Sequence, residues 1–261
     1  MERKRDLDAL TGLKGIFIFV IMFFHTLPAT PLIDSIPMTS FIRNYGGKLG
    51  NYMFFMLSGF LICRSYRDRI QKGAVSFGTF LYRRLQKLYP LYLLTNGLVL
   101  LVNIIQYGPS AVNLKKIALT LLLQNGGGLE TAHPYNIPTW FVSALIVCYM
   151  AYYLVAYIAR NKTQYFCLLA FGIVWGYSIT IGGWESPLCF GRNGESFMLF
   201  FIGCVIAEVY PLIRERQHKI LQPTAFFCLA VSAALLLRYG VEVISGDVGV
   251  AVNMGSDCAC R

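Results

Sequence analysis

Seven apolar stretches dominate the 261 residues, near 13–29, 49–65, 88–106, 139–159, 164–181, 195–211 and 221–240. The hydrocarbon core of a bilayer is about 30 Å thick, and a helix of about 20 mostly apolar residues crosses it. In lipid each backbone N–H and C=O must find its partner inside the segment, so stretches of this kind are helices. A further apolar run, Leu114 to Leu123, is too short to cross. Hydrophobic residues make up 56% of the chain and charged residues 14%, against about 25% charged in an ordinary soluble domain. The expected fold class is therefore all-α, a polytopic transmembrane helical bundle of about seven spans. No internal repeat or polar linker divides it, so 1–261 reads as a single domain with an atypical tail at 241–261. Basic residues ahead of the first stretch resemble a signal peptide. No small-residue cleavage site follows, however, and the stretch is read as a retained span.

The formal net charge is +10, and its distribution explains it. With the N-terminus cytoplasmic and Leu114–Leu123 not crossing, segments 1–14, 64–87, 160–164 and 211–220 face the cytoplasm and hold 16 of the 23 Lys and Arg. The external loops 30–48, 107–138 and 182–194 hold 5. Basic residues are enriched on the cytoplasmic side of membrane proteins, so most of the excess is orientation signal, and nucleic acid is not an expected partner. The loop 107–138 is then external and partly re-entrant. Eight cysteines lie mostly within apolar runs, without zinc-ligand spacing, and read as small core or lipid-facing residues. No metal site is expected.

His25 stands inside the first span, after FIFVIMFF. An ionisable residue at membrane depth is costly and points to function, the alternative being a neutral histidine bonded between helices. Lys14 precedes it by eleven residues. That spacing turns a helix through about 1,100°, or three turns and about 20°, so the two share a face about 16 Å apart along the axis. Lys14 is expected at the cytoplasmic mouth and His25 near mid-bilayer or beyond, an arrangement suited to an elongated anionic substrate.

The segment SFGTFLYRRLQKLYP at 76–90 supplies a second group of cations. Ser76 can cap a helix start. Phe77, Phe80, Leu81, Leu85 and Leu88 form an apolar side, while Arg83, Arg84 and Lys87 cluster on one flank, and Pro90 punctuates the following span. The pattern reads as an interfacial helix at the cytoplasmic surface whose cations meet anionic lipid headgroups or the phosphates of a cofactor. His133, near Glu130, is a loop histidine, and His218 belongs to a basic loop that sets topology. Trp140, Trp184, Glu185, Arg192, Asn193 and Glu195 fall at or near the outer surface, as belt anchors or a rim able to hold a sugar. Ser58 reads as a helix-packing residue.

LTGLKGIFIFVIMFFH (10–25) resembles the opening of the acyltransferase-3 family of integral membrane O-acyltransferases, in which an arginine, ten residues and a histidine follow a similar start. FFMLSGFLI (54–62) is similar to the family's second-helix signature, and FLYRRLQKLYPLYLL (80–94) to its basic motif and third helix. TWFVSALIVCY (139–149) and FFIGCVIA (200–207) resemble later helices less specifically, and the likeness covers roughly 10–210. Lys14 stands where the family has arginine, keeping the charge without the bidentate fork, and Lys87 likewise ends the RRxxR-like motif. The family has about ten spans, which makes this chain a short, truncated or degenerate member.

The resemblance implies a membrane enzyme that moves an acyl group, most simply acetyl, from cytoplasmic acyl-CoA to a hydroxyl of a cell-envelope or secreted carbohydrate. The setting it implies is a bacterial inner or plasma membrane. No bound cofactor is implied; acetyl-CoA is the donor substrate, the carbohydrate the acceptor, and anionic lipid a partner at the inner face. His25 would be a general base or a transient acyl acceptor, and Lys14, Arg83, Arg84 and Lys87 would hold donor phosphates. The rival reading is a transporter of a small anionic or sugar-linked substrate, with His25 as proton relay. Against it stand the lack of an inverted repeat and of further intramembrane ionisable groups. A structural scaffold is the third reading.

Overall fold

The computed structural model describes residues 2–26, 36–124, 135–182 and 191–216, and no strand occurs among them. The helices are α1 (Glu2–Thr26), α2 (Pro37–Phe41), α3 (Gly47–Gln71), α4 (Phe77–Tyr107), α5 (Leu114–Leu121), α6 (Trp140–Ile158), α7 (Lys162–Gly182) and α8 (Gly191–Arg216), with a π-helical turn at Ile42–Gly46 leading into α3. The chain divides into two compact units, Met1–Glu208 and Val209–Arg261. The bundle and the site lie in the first; in the second, residues 209–216 are helical.

Four helices are long and apolar enough to cross a membrane: Phe77–Tyr107, Trp140–Ile158, Lys162–Gly182 and Asn193–Pro211. They carry four of the seven expected spans. The expected spans at 13–29 and 49–65 fall on α1 and α3. Among the described residues the apolar part of α1 runs over Gly12–Thr26, and α3 ends in Arg64, Arg67, Asp68 and Arg69. The stretch 221–240 lies outside the described residues.

The basic segment is not a separate interfacial helix. Ser76 does cap it, with Thr79 N donating to Ser76 Oγ over 3.3 Å. The helix then runs without interruption through Pro90 for 31 residues. At 1.5 Å per residue that is about 46 Å, well beyond a bilayer core, so the first turns carry the cations past the apolar zone as an extension of the span. Phe80, Tyr92 and Asn96 are buried, and Leu88 packs against the core. Together with Arg84 they form one i, i+4 stripe along α4. Leu91, Leu94, Leu98, Leu101 and Ile105 are exposed on the other side, as a lipid-facing surface requires.

Segment 108–124 turns back into the bundle. The Tyr92 hydroxyl donates to the carbonyl of Thr120 at 2.8 Å and the Tyr89 hydroxyl to that of Leu121 at 2.7 Å. Tyr92 lies fifteen residues before the end of α4 at Tyr107, about 22 Å along the axis. The chain thus descends beside α4 by about that distance over residues 108–120. It has returned by Tyr135, whose hydroxyl donates to the carbonyl of Ala111 at 2.8 Å and accepts from Asn113 N at 2.7 Å. Among the described residues the segment thus folds back along α4, and α5, with eight residues, is too short to cross a bilayer.

Small residues set the helix approaches. Gly46, Gly47 and Gly50 admit Val20, Phe24 and Ile21 of α1; a Cβ on Gly47 would lie 2.6 Å from the Phe24 ring. At the crossing of α3 and α8, a Cβ on Gly59 would strike the Phe200 carbonyl and one on Gly203 the Met56 carbonyl. Backbones meet this closely in membrane bundles because packing, rather than hydrophobic burial, holds helices together. Ser58, beside the crossing, is buried and donates to the Phe54 carbonyl at 2.7 Å, in keeping with a packing role. Cys63, Cys148 and Cys204 are buried thiols outside any disulfide, while Cys167 is exposed. The turns at 72–76 and 159–161 close one end of the bundle, called here the basic end.

Candidate functional site

Residue by residue, α1 turns through about 100°, and its packing fixes which way the two predicted residues point. Phe17, Val20, Ile21 and Phe24 meet α3 and the π turn before it. Lys14 and His25 both lie on one flank of that seam, with exposed Ile18 between them. Their common face is therefore present. Their depth differs from expectation, because α1 begins at Glu2 rather than near residue 13. Lys14 falls at the middle of the helix and not at its mouth, and His25 falls in the last turn. The Lys14 ammonium sits 4.3 Å from the centroid of Phe54, two turns into α3 from its Gly47 end. His25 is exposed and meets Phe24 edge to face at 4.9 Å. Among the described residues no hydrogen bond holds it, unlike a histidine bonded between helices.

The three cations expected on one flank of the basic segment separate into two groups. Arg84 is half-buried on the inward stripe of α4, while Arg83 and Lys87 are exposed. The direction follows from the i, i+4 spacing that Arg84 shares with Phe80 and Leu88. Its Nη2 donates to the Tyr66 hydroxyl at 2.6 Å. Its guanidinium carbon stands 4.6 Å from the Tyr66 ring centroid and 5.9 Å from that of Tyr149, both within cation–π range. Lys14 and Arg84 are close enough to repel one another. The structure thus turns Lys14 and Arg84 into the bundle, against Phe54 and against Tyr66 and Tyr149 respectively, and leaves Arg83 and Lys87 to the surface.

Tyr66 lies just beyond the 49–65 stretch and belongs to this group. Its burial raises the phenol's pKa, but the hydrogen bond and charge of Arg84, with Arg83 behind them, outweigh that and hold it below its ordinary value. Tyr66 and Tyr149 were not expected from sequence. The available signal was the buried series Phe54, Ser58, Ile62, Tyr66 and Ile70, which sets Tyr66 on the inward face of α3.

A second polar group closes the basic end. Arg67 pairs with Glu208 of α8, and the Arg67 guanidinium carbon lies 4.7 Å from the Tyr165 ring centroid. The Cys63 thiol donates to Glu208 Oε1 at 3.1 Å and lies 3.4 Å from the Tyr165 hydroxyl. This set ties α3, α7 and α8 together.

The expected outer rim is more buried than the sequence implies. Trp140 stacks on Phe55 at 6.4 Å, facing the core rather than anchoring a belt, and Asn193 is buried. Glu195 accepts from the Tyr52 hydroxyl at 2.6 Å. Glu130, His133, Trp184, Glu185 and His218 lie outside the described residues, as does the side chain of Arg192. Among the described residues no group of three or more His, Cys, Asp or Glu could hold a metal ion.

Several long apolar helices around interior cations define a multi-pass membrane protein. The family model described as an acyltransferase domain matches residues 7–254, and the chain belongs to that family, the acyltransferase-3 family. The match reaches well past the 10–210 expected from motifs. A 90-residue stretch is 31% identical to a Rhizobium radiobacter protein described as protein 2 in the picA locus, covering 34% of this chain and 42% of that protein. The chain therefore matches less than half of this relative's length. No solved structure matches the chain.

Proposed function

We propose that the chain is a membrane O-acyltransferase that takes an acyl group, most simply acetyl, from acyl-CoA and transfers it to a hydroxyl of a cell-envelope or secreted carbohydrate. The observation that carries this reading is that Arg84 turns inward on α4 to the Tyr66 hydroxyl and Lys14 turns inward on α1 to the Phe54 ring, with His25 on the same face of α1 as Lys14. Two inward cations suit the phosphates of an elongated donor, since hydrogen bonds to charged groups are strong where water is scarce. The family membership supports acyl transfer as the class of chemistry. The excess of Lys and Arg at the basic end orients it toward the cytoplasm, where acyl-CoA is available, and directs His25 toward the opposite side, where an envelope glycan would be reached. Arg83 and Lys87, facing outward, contact anionic lipid headgroups.

In the proposed reaction a neutral His25 nitrogen takes the proton from the acceptor hydroxyl. The oxygen attacks the thioester carbonyl, the C–O bond forms, the C–S bond breaks, and the coenzyme A thiolate leaves and is protonated. A positioned base of this type contributes about 10²–10⁴-fold to rate. The test is transfer of label from radioactive acetyl-CoA by the purified full chain in lipid nanodiscs, with and without bacterial envelope glycan. Label in the glycan that depends on the protein is expected. Hydrolysis without transfer, or no turnover with any envelope glycan, would overturn the reading and favour a transport or scaffold role.

A further inference from the structure

The ring of Tyr66 carries two arginines from different helices. The Arg84 guanidinium carbon of α4 stands 4.6 Å from its centroid and that of Arg69, on α3 itself, 5.3 Å. The two cations are therefore within about 10 Å of each other, roughly one Debye length at an ionic strength of about 0.1 M, and Arg83 also acts on the same phenol. Among the described residues no carboxylate pairs with Arg69, Arg83 or Arg84. The neighbouring Arg67, by contrast, has its partner in Glu208. The Arg84 Nε is buried and makes no hydrogen bond, so a buried donor still wants an acceptor. Arg69 is exposed and Tyr66 is buried, which orders the group from the solvent inward: Arg69 and Arg83 at the surface, then Tyr66 and Arg84, then Lys14.

We propose that Tyr66 and Arg69 complete an anion site shared by α3 and α4, which takes a compact polyanion of the diphosphate class. In it Tyr66 is a positioning residue that holds the Arg84 guanidinium inward, and Arg69 is a second cationic wall. The proposal rests on the donor reading above and adds to it: the phosphates are gripped from two helices, not from the α4 basic segment alone. Convergent guanidinium groups without a carboxylate repel one another, and an anion of two or more charges relieves that repulsion while filling the vacant donor of Arg84. Phosphate of this kind has two sources, a soluble nucleotide such as coenzyme A and an anionic lipid headgroup, and the site is assigned to the soluble one because Arg84 points into the bundle.

The test uses the full chain in zwitterionic nanodiscs with coenzyme A as probe, over a range of salt. Tyr66→Phe keeps the ring and removes the hydroxyl acceptor; Arg69→Gln removes one charge; Arg84→Gln is the reference. The expected result is coenzyme A binding about ten-fold weaker for Tyr66→Phe, as fits a lost bond to a charged donor. Arg69→Gln should bind several-fold more weakly with a shallower salt dependence. KM for acetyl-CoA should rise in both while kcat and detergent thermal stability stay near wild type, which a merely structural Tyr66 would not allow. Wild-type affinity in both variants, with Arg84→Gln impaired, overturns the proposal and leaves the donor reading standing. Loss of phosphatidylglycerol co-purification with unchanged coenzyme A affinity also overturns it, in favour of a lipid site. No coenzyme A binding by the wild-type chain removes both.

Discussion

The pairing of Arg67 with Glu208 predicts a specific pattern of stability. The two side chains are 21% and 11% exposed, so they are largely but not wholly withdrawn from solvent. Removing one partner of a fully buried pair costs about 3–5 kcal/mol, because the other charge is left uncompensated. The residual exposure here places Glu208→Leu at the low end, about 3 kcal/mol. Arg67→Met is expected to cost less, about 2 kcal/mol, because the sulfur can keep the contact with the Tyr165 ring that the guanidinium now makes. The double variant leaves no unpaired charge and should cost no more than about 2 kcal/mol, a coupling of about 3 kcal/mol between the sites. Cys63 keeps its contact with the Tyr165 hydroxyl in every case. Equilibrium unfolding in mixed SDS micelles measures all four proteins. Costs that simply add, so that the double variant loses about 5 kcal/mol, would show that the pair is not energetically coupled and refute the reasoning.

Three further predictions follow from packing and direction. Gly203→Ala should destabilise by about 1–3 kcal/mol, because its Cβ meets the Met56 carbonyl and forces α3 and α8 apart. Gly97→Ala, in open space on α4, should be neutral or gain up to about 1 kcal/mol; equal effects at the two sites would contradict the close crossing. Replacing Tyr89 and Tyr92 with Phe removes both hydroxyl bonds that hold Thr120 and Leu121 and should speed hydrogen exchange in α5 about ten-fold or more, at about 1 kcal/mol per bond. Unchanged exchange there would mean that other contacts anchor the segment. Arg84→Gln should raise KM for acyl-CoA at least about ten-fold, whereas Arg83→Gln with Lys87→Gln should shift it less than about three-fold and instead weaken anionic-lipid binding. The reverse ranking would place the donor on the outer flank of α4.

Much of the fold could be read from the chain because membrane helices are specified locally, by length and apolarity. The positions of α4, α6, α7 and α8 and the shortness of α5 follow from that, and the cap at Ser76 follows from a hydroxyl placed just before a helix. The shared face of Lys14 and His25 was also legible, since helical phase depends on spacing alone. Their depth was not, because it depends on where α1 begins, and the charged residues 2–8 hide a helix start that hydropathy does not register. Pro90 misled in the other direction: proline removes one backbone donor, and a helix embedded in a bundle can continue past that loss. The division of Arg84 from Arg83 could have been inferred from the stripe Phe80, Leu88, Tyr92 and Asn96. The partners Tyr66, Tyr149 and Glu208 come from other helices, and their meeting is a matter of tertiary packing that no local pattern contains.

Transfer from radiolabelled acetyl-CoA to envelope glycan, measured for His25→Ala and His25→Gln beside the wild-type chain, tests the catalytic assignment most directly. His25 is exposed and has no hydrogen-bond partner among the described residues, so both variants should insert and keep wild-type thermal stability in detergent. Both should lose about 10²–10⁴-fold in transfer rate, since neither side chain can take up the acceptor's proton. A His25→Gln protein that transfers at the wild-type rate would contradict the assignment.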